Sequence, residues 1–235
     1  MPLPQLDTQK FIDELNALRG NGTIVRDELL LGRLRRQIDA VKAHDVMAHF
    51  AYLGSLLMVA GKYEAAIDAV RKSLNTSQSG ERLPYNINTL ITSGFFSEAA
   101  KYASQLSDED VSSQEIAGNC VWCVLDFRRA MFVDSRIEIA GDALRVFDAH
   151  GVSSTDVIPM LDLAGELLRE RGLLTTGGPS FFVYSLDKTM TIHLPVKQRP
   201  EVLAELEWEY SARLFATLPD SPHSFVHVGF CSGDH

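Results

Sequence analysis

Two stretches of this 235-residue chain carry the residue types from which metal and redox sites are made. In "NCVWCVLDF", Cys120 and Cys123 have the C-x-x-C spacing of zinc ligands and dithiols. In "HSFVHVGFCSGDH", His223, His227, Cys231 and His235 recur every four residues, which on one helical face would converge on a cation. Glu201, Glu205, Glu207 and Glu209 add carboxylates of the kind used in general acid–base work.

The elements that must carry these residues point to plainer roles. Cys120 and Cys123 fall in the series Ile116, Cys120, Cys123, Phe127, Ala130, a helical stripe in which free cysteine packs as a small hydrophobe. No second C-x-x-C completes a zinc set. Phe225, Val226, Val228 and Phe230 around Gly229 suit a strand, where residues four apart lie ~13 Å apart. Zinc ligands must converge at ~2 Å from the metal, so one strand cannot supply all four. The glutamates alternate with Leu203, Leu206, Trp208 and Tyr210, which reads as a helix with a wet face and a broad apolar one. There is no Gly-rich phosphate loop and no G-x-S-x-G elbow. The expectation is no metal, no cofactor and no assigned catalytic residue.

Composition narrows the function classes. Hydrophobic residues at 46% and charged residues at 23% fit a packed globular chain that builds a core without staples. A net charge of −9 argues against general nucleic-acid affinity, which rests on many Lys and Arg contacts to phosphate. The basic clusters "RLRRQ" (33–37) and "DFRRA" (126–130) lie in amphipathic helical patterns and read as solvated helix faces. No run of uncharged apolar residues reaches the ~18 that a membrane span needs. The start, "MPLPQLDTQKFIDELN", shows no signal-peptide pattern. Three cysteines fit a reducing compartment, and a cytoplasmic protein is expected.

The first two-thirds reads as successive helices. Leu31, Leu34, Ile38 and Val41 recur at spacings of three and four in a helix starting near Arg26. Val46, Phe50, Leu53 and Leu57 do the same, as do Tyr63, Ala66, Ile67, Val70 and Leu74. Ser112-Ser113-Gln114-Glu115 has a capping-box pattern, and Ser153 to Asp156 offers N-cap chemistry before Val157, Leu161, Ala164 and Leu168. At "RGLLTTGGPS" (171–180) the texture changes, which predicts a helical domain over 1–176 and a small α/β element over 177–235. In the latter, "FFVYSLDKTMTIHLPV" predicts a hairpin turning at Asp187-Lys188, followed by a helix and a strand. This ββαβ element stands on its own or caps the helical array.

Within the helical part, Gly61 to Ala66 and Gly94 to Ala99 repeat the same gap, 33 residues apart. "GKYEAAIDAV" and "GFFSEAAKYA" align around them, with Tyr63 against Phe96. Phe50, Leu53-Gly54, Leu57, Gly61, Tyr63 and Ala66 stand in the order of a two-helix repeat unit. Residues 45–106 thus resemble the tetratricopeptide repeat, with Asn86 and Ile87 replacing Leu-Gly in the second copy. A degenerate third hairpin is expected over 113–150, using Ala140, Leu144 and Phe147. Gly54 and Ala66 would let antiparallel helices approach closely, and Ala69 is expected to face solvent.

The resemblance implies a concave binding groove. Its lining would be Ala51, Ser55 and Met58 in the first hairpin and Pro84, Asn88 and Thr92 in the second, with Ser55, Met58, Asn88 and Thr92 as the binding residues. Only Asn88 suits a carboxylate clamp, so a mixed apolar and polar groove is expected. The function this implies is an adaptor or chaperone-like scaffold holding a partner protein or peptide. The alternatives are an enzyme using Asp187, His193 or His227 in the tail, and a regulator contacting nucleic acid through Arg33, Arg35 and Arg36. "TMTIHLPV" is expected to form a sheet edge covered by the helical domain or by a second copy of the chain.

Overall fold

The computed structural model describes residues 8–76 and 82–233. His235, the last member of the four-residue series, lies outside the described residues. Helices begin where a side chain can take the unpaired N–H groups of a first turn. The Asp27 carboxylate accepts from Leu29 and Leu30 N at 3.0 Å and starts α2 (Glu28–Val41), after α1 (Thr8–Gly20). Asp45 accepts from Ala48 N at 2.9 Å and starts α3 (Val46–Val59), which α4 (Tyr63–Thr76) follows. Asp45 also accepts from Arg82 Nη1 at 2.7 Å, and that hydrogen bond holds its carboxyl below the usual carboxylate range. Then come α5 (Arg82–Thr92), α6 (Phe96–Ala103), α7 (Asp108–Ser113), α8 (Glu115–Cys123), α9 (Phe127–Ala130), α10 (Ile137–His150) and α11 (Ser154–Glu170). Strands β1 (Ser180–Tyr184) and β2 (Thr189–Val196), helix α12 (Pro200–Thr217) and strand β3 (Val226–Ser232) complete a mainly α fold with a C-terminal ββαβ element. No helix among the described residues is long and apolar enough to cross a membrane.

Among the described residues five helix ends share one geometry, at Gly61, Gly94, Leu125, Gly151 and Gly172, and only the first three are followed five residues on by a buried alanine. Gly61 and Gly94 adopt φ of 70° and 73°, and Leu125 adopts φ of 63°. The next N–H reaches back to the carbonyl five residues earlier each time: Lys62 to Leu57 (2.9 Å), Phe95 to Leu90 (3.0 Å) and Asp126 to Val121 (3.0 Å). Five residues beyond these positive-φ residues stand Ala66, Ala99 and Ala130, all buried. The third turn therefore sits at 125–130, and the expectation of a hairpin over 113–150 built on Ala140, Leu144 and Phe147 is corrected. The same turn breaks the Ile116-to-Ala130 stripe, which is not one continuous helix. In the first hairpin a Cβ on Gly54 would come within 2.6 Å of Val70 Cγ2, so α3 and α4 need glycine there.

Several local expectations are overturned by packing. Ala69 is only 4% exposed, because α4 packs a second side against the cluster of Leu53, Leu56 and Leu174. Ser112 and Ser113 donate to Glu109 O instead of capping α8, whose first turn has no side-chain cap. The capping boxes form at Ser107–Asp110 and, as the pattern predicts, at Ser153–Asp156. β2 is the central strand of the order β1-β2-β3, antiparallel to β1 and parallel to β3, so "TMTIHLPV" is no edge. At the β3 edge, Phe230 N donates to Glu207 of α12 at 2.6 Å. Among the described residues no hydrogen bond ends on the outer edge of β1.

The strands share one hydrophobic cluster with the helices. Met190, Ile192, Leu194, Val226 and Phe230 belong to the same cluster as Ala117, Phe147 and Leu161. Phe181 of β1 meets the Trp122 ring at 4.7 Å and the Phe127 ring at 5.6 Å, while Phe127 meets Phe147 at 5.4 Å. Tyr210 of α12 meets Phe230 edge-on at 6.0 Å, so the apolar side of β3 packs on the helix carrying Leu206, Tyr210 and Leu214.

Candidate functional site

The residues expected to line an open groove are covered by the chain itself. Ser55 is 0% exposed and Met58 2%, and Ala51, Pro84 and Thr92 are also buried; Asn88 is half-buried. Ser55 Oγ lies 3.1 Å from Tyr85 Oη and 3.2 Å from Thr89 Oγ1, so α3 and α5 do face each other here. Over this face lies α1, whose Phe11 ring meets Tyr52 at 5.4 Å, with Tyr52 in turn meeting Tyr85 at 6.1 Å. The Arg19 guanidinium donates to Thr92 Oγ1 and, at 3.4 Å, to Asn88 O, and burial pulls its pKa below the usual guanidinium value. Residues 172–178 follow, with Thr175 Oγ1 donating to Thr92 O at 2.9 Å. The expectation of an accessible groove at Ser55, Met58, Asn88 and Thr92 is therefore corrected. The cause is the extended connection 21–27, stitched down by Ile24 N to Gly172 O (3.0 Å) and Val25 N to Val59 O (2.7 Å), which lets α1 settle on α3.

An open cleft lies elsewhere, between α4 and α11. It is built on a clamp that three residues of α11 close around the α5–α6 turn. Asp162 accepts from Phe96 N (2.6 Å), from Ser97 N (3.1 Å) and from Ser97 Oγ, supplying the missing cap of α6. Seven residues on, Arg169 Nη1 donates to Ser93 O (3.0 Å) and Gly94 O (2.5 Å), the carbonyls that end α5. Gly165 lies between them on the same helical side, and a Cβ there would meet Gly94 Cα at 2.6 Å. The spacing places a carboxylate on a helix N-terminus and a cation on a helix C-terminus, each on the end its charge favours.

The cleft floor is Phe95, with the Arg169 guanidinium lying 3.8 Å over its ring. Two adjoining hollows of ≈ 740 and ≈ 510 Å³ share Ile67, Phe95, Glu166 and Arg169. Tyr63 and Ala65 line the first; Pro159, Leu163 and Leu218 line the second. Ion pairs brace the rim. Arg71 Nε donates to Glu98 Oε1 at 2.8 Å, which holds the Glu98 carboxyl below its usual value, and Arg213 Nη2 donates to Glu170 at 2.6 Å. Burial lowers the Arg169 pKa, and Asp162 opposes that shift. The Tyr63 hydroxyl, with its pKa raised by burial, has no hydrogen-bond partner among the described residues.

The other sequence candidates disperse. Asp187 is exposed in the hairpin turn, whereas His193 is four residues beyond the start of β2 at Thr189, roughly 13 Å along the strand from it. His227 is exposed beside Thr191, and Cys231 is half-buried beside Pro195. No group of three or more His, Cys, Asp or Glu side chains among the described residues could hold a metal. Cys120 and Cys123 are buried, Cys120 Sγ donates to Pro84 O at 3.3 Å, and burial pushes the Cys123 thiol up to about 12. Arg33 is paired with Glu14 and Arg35 with Asp39. Arg129 of "DFRRA" is spent on Ala103 O (3.0 Å), Leu106 O and Asp108.

Glu207 is the carboxylate that the helical reading passed over. It lies against Gly229, a position where a Cβ would strike its carboxyl, and burial raises its pKa while the Phe230 N–H and His193 oppose the shift. A raised folded pKa means that the native state binds this proton more tightly than the unfolded chain does. Its destabilising contribution is absent below the unfolded value of ~4.3 and grows as pH rises toward the folded one. Glu207→Gln keeps an acceptor for Phe230 N, so its stability relative to the parent is expected to rise between about pH 4 and about pH 8. Urea melts at the two ends check this, and a relative stability that falls with pH contradicts it.

No family model, curated protein or solved structure matches this chain.

Proposed function

We propose that the chain is a scaffold that holds a partner protein, and that the partner enters the α4–α11 cleft rather than the covered α3–α5 face. The observation that carries this is the pair of adjoining hollows on an apolar floor, where the Asp162–Gly165–Arg169 clamp holds α11 on the α5–α6 turn and Arg71–Glu98 ties α4 to α6. Rigid concave surfaces with a few placed polar groups are where binding energy concentrates. Apolar side chains of an incoming segment would cover Ile67, Phe95 and Leu163. The three matched turns at Gly61, Gly94 and Leu125 support reading the array as tetratricopeptide-like, a class of scaffold rather than a chemistry. Free cysteines support a cytoplasmic location.

Ile67→Glu and Leu163→Glu test the site, since both side chains are half-buried at the cleft. Each is expected to weaken the complex with the native partner by about tenfold or more while leaving a folded, cooperatively melting chain. Undiminished partner affinity in both variants contradicts the cleft reading.

A further inference from the structure

The outer side of α12 is built unlike its inner side. Leu206, Tyr210 and Leu214 are buried against the core, and Glu209 and Arg213 are tied to Arg171 and Glu170 at the end of α11. On the opposite side Trp208 is 82% exposed and Phe215, seven residues on, is 60% exposed. The two rings stand two helical turns apart, ~10.5 Å along the axis, with Ser211 and Ala212 between them. The result is a small-residue saddle between two aromatic ridges, a shape that accepts side chains three or four apart on another helix. His223 meets the Phe215 ring at 4.8 Å and extends the ridge. This contradicts the broad apolar face read from the sequence, which placed Trp208 together with the buried residues.

Charge selects the occupant. Glu201 and Glu205 are exposed two turns and one turn before Trp208 on the same side, and neither makes an ion pair among the described residues. Glu207 is turned to β3, and Arg213, the helix's basic residue, is already paired. Lys197 and Arg199, just before the helix, make no ion pair with it. On a chain of net charge −9, this face repels phosphates and anionic lipid and attracts cations. Exposed Trp of this kind is what binding hot spots are made of.

We propose that the Trp208–Phe215 face of α12 docks a basic amphipathic helix of a partner protein. Two apolar side chains of that helix straddle Ala212 between the aromatic rings, and its Lys or Arg residues meet Glu201 and Glu205. This rests on the reading of the chain as a partner-binding protein, but at a surface separate from Ile67 and Leu163.

The two tryptophans make the test direct, because Trp122 is 9% exposed and Trp208 is open. In the full chain carrying Trp122→Phe, emission reports Trp208. The probes are a synthetic Leu/Lys amphipathic helix and a Leu/Glu helix with the same apolar stripe. The Leu/Lys peptide is expected to blue-shift Trp208 and to cut iodide quenching by about threefold or more, and the Leu/Glu peptide to do neither. Phe215→Ser, and the pair Glu201→Lys/Glu205→Lys, should each weaken binding by about tenfold. The distant pair Glu28→Lys/Glu138→Lys makes the same change in net charge and should leave binding within about threefold. Equal loss in the distant pair, equal binding of the Leu/Glu peptide, or no spectral change with the Leu/Lys peptide overturns the proposal. Ile67→Glu should leave this binding unchanged. Loss there places the peptide in the cleft, overturning the α12 proposal while supporting the cleft reading.

Discussion

Gly165→Ala is expected to lower stability by ~3 kcal/mol or more, the upper end of what overpacking costs. The reason is that the obstruction is backbone. A Cβ on Gly165 would lie 2.6 Å from Gly94 Cα, and one on Gly94 would lie 2.5 Å from Gly165 Cα. No rotamer change relieves either contact. The α5–α6 turn would have to withdraw from α11, and withdrawal breaks the hydrogen bonds from Phe96 N and Ser97 N to Asp162 and from Arg169 to Gly94 O. Gly94→Ala adds the penalty of φ at 73° to the same clash. Gly141→Ala is the control. It lies in a helix, and a Cβ there meets only the far end of Arg145. Urea unfolding should show a large drop in midpoint for Gly165→Ala and none for Gly141→Ala. Equal midpoints would remove the clamp from the account of the cleft.

Phe127→Ala should cost about 3–5 kcal/mol, the range for deleting a fully buried aromatic ring. Phe127 is held among Trp122, Phe147 and Phe181, so its loss leaves a cavity where α8, α10 and β1 meet. The informative readout is cooperativity. If the helices and the sheet share one core, as the cluster joining Leu161 to Ile192 indicates, the variant in a Trp208→Phe background melts in one transition seen equally by helical circular dichroism and by the emission of Trp122, whose ring packs on Phe181 of β1. Separate transitions by the two probes would mean that residues 177–235 unfold independently of the helices.

What was legible in the sequence was what local chemistry decides. The stripe Leu31, Leu34, Ile38, Val41 predicts α2, and the Ser153–Asp156 box sits at the start of α11. Strand composition around Asp187-Lys188 predicts the hairpin, and Lys188 there takes φ of 51°. The hidden features depend on distant partners. The third turn escaped because Leu125 occupies the positive-φ position that Gly61 and Gly94 mark openly, offsetting a strain of about 1–2 kcal/mol by burying its side chain. Asp162 and Gly165 act on residues 93–97, some seventy positions earlier, and no spacing rule connects them. Ser55 and Thr92 have the right periodicity for a groove, but periodicity cannot show that α1 fills it. Trp208 and Tyr210 read alike along α12, and only the direction of β3 decides which one is buried.

The central claim is that a partner occupies the α4–α11 cleft. The most direct measurement places a photo-crosslinking amino acid at position 67 in the full chain within its own cell, and in a separate strain at position 29, on the exposed side of α2. The account predicts a discrete protein adduct from position 67 that Leu163→Glu abolishes, and none of that mass from position 29. Adducts of the same mass from both positions, or none from position 67 when the partner still co-purifies, would contradict it.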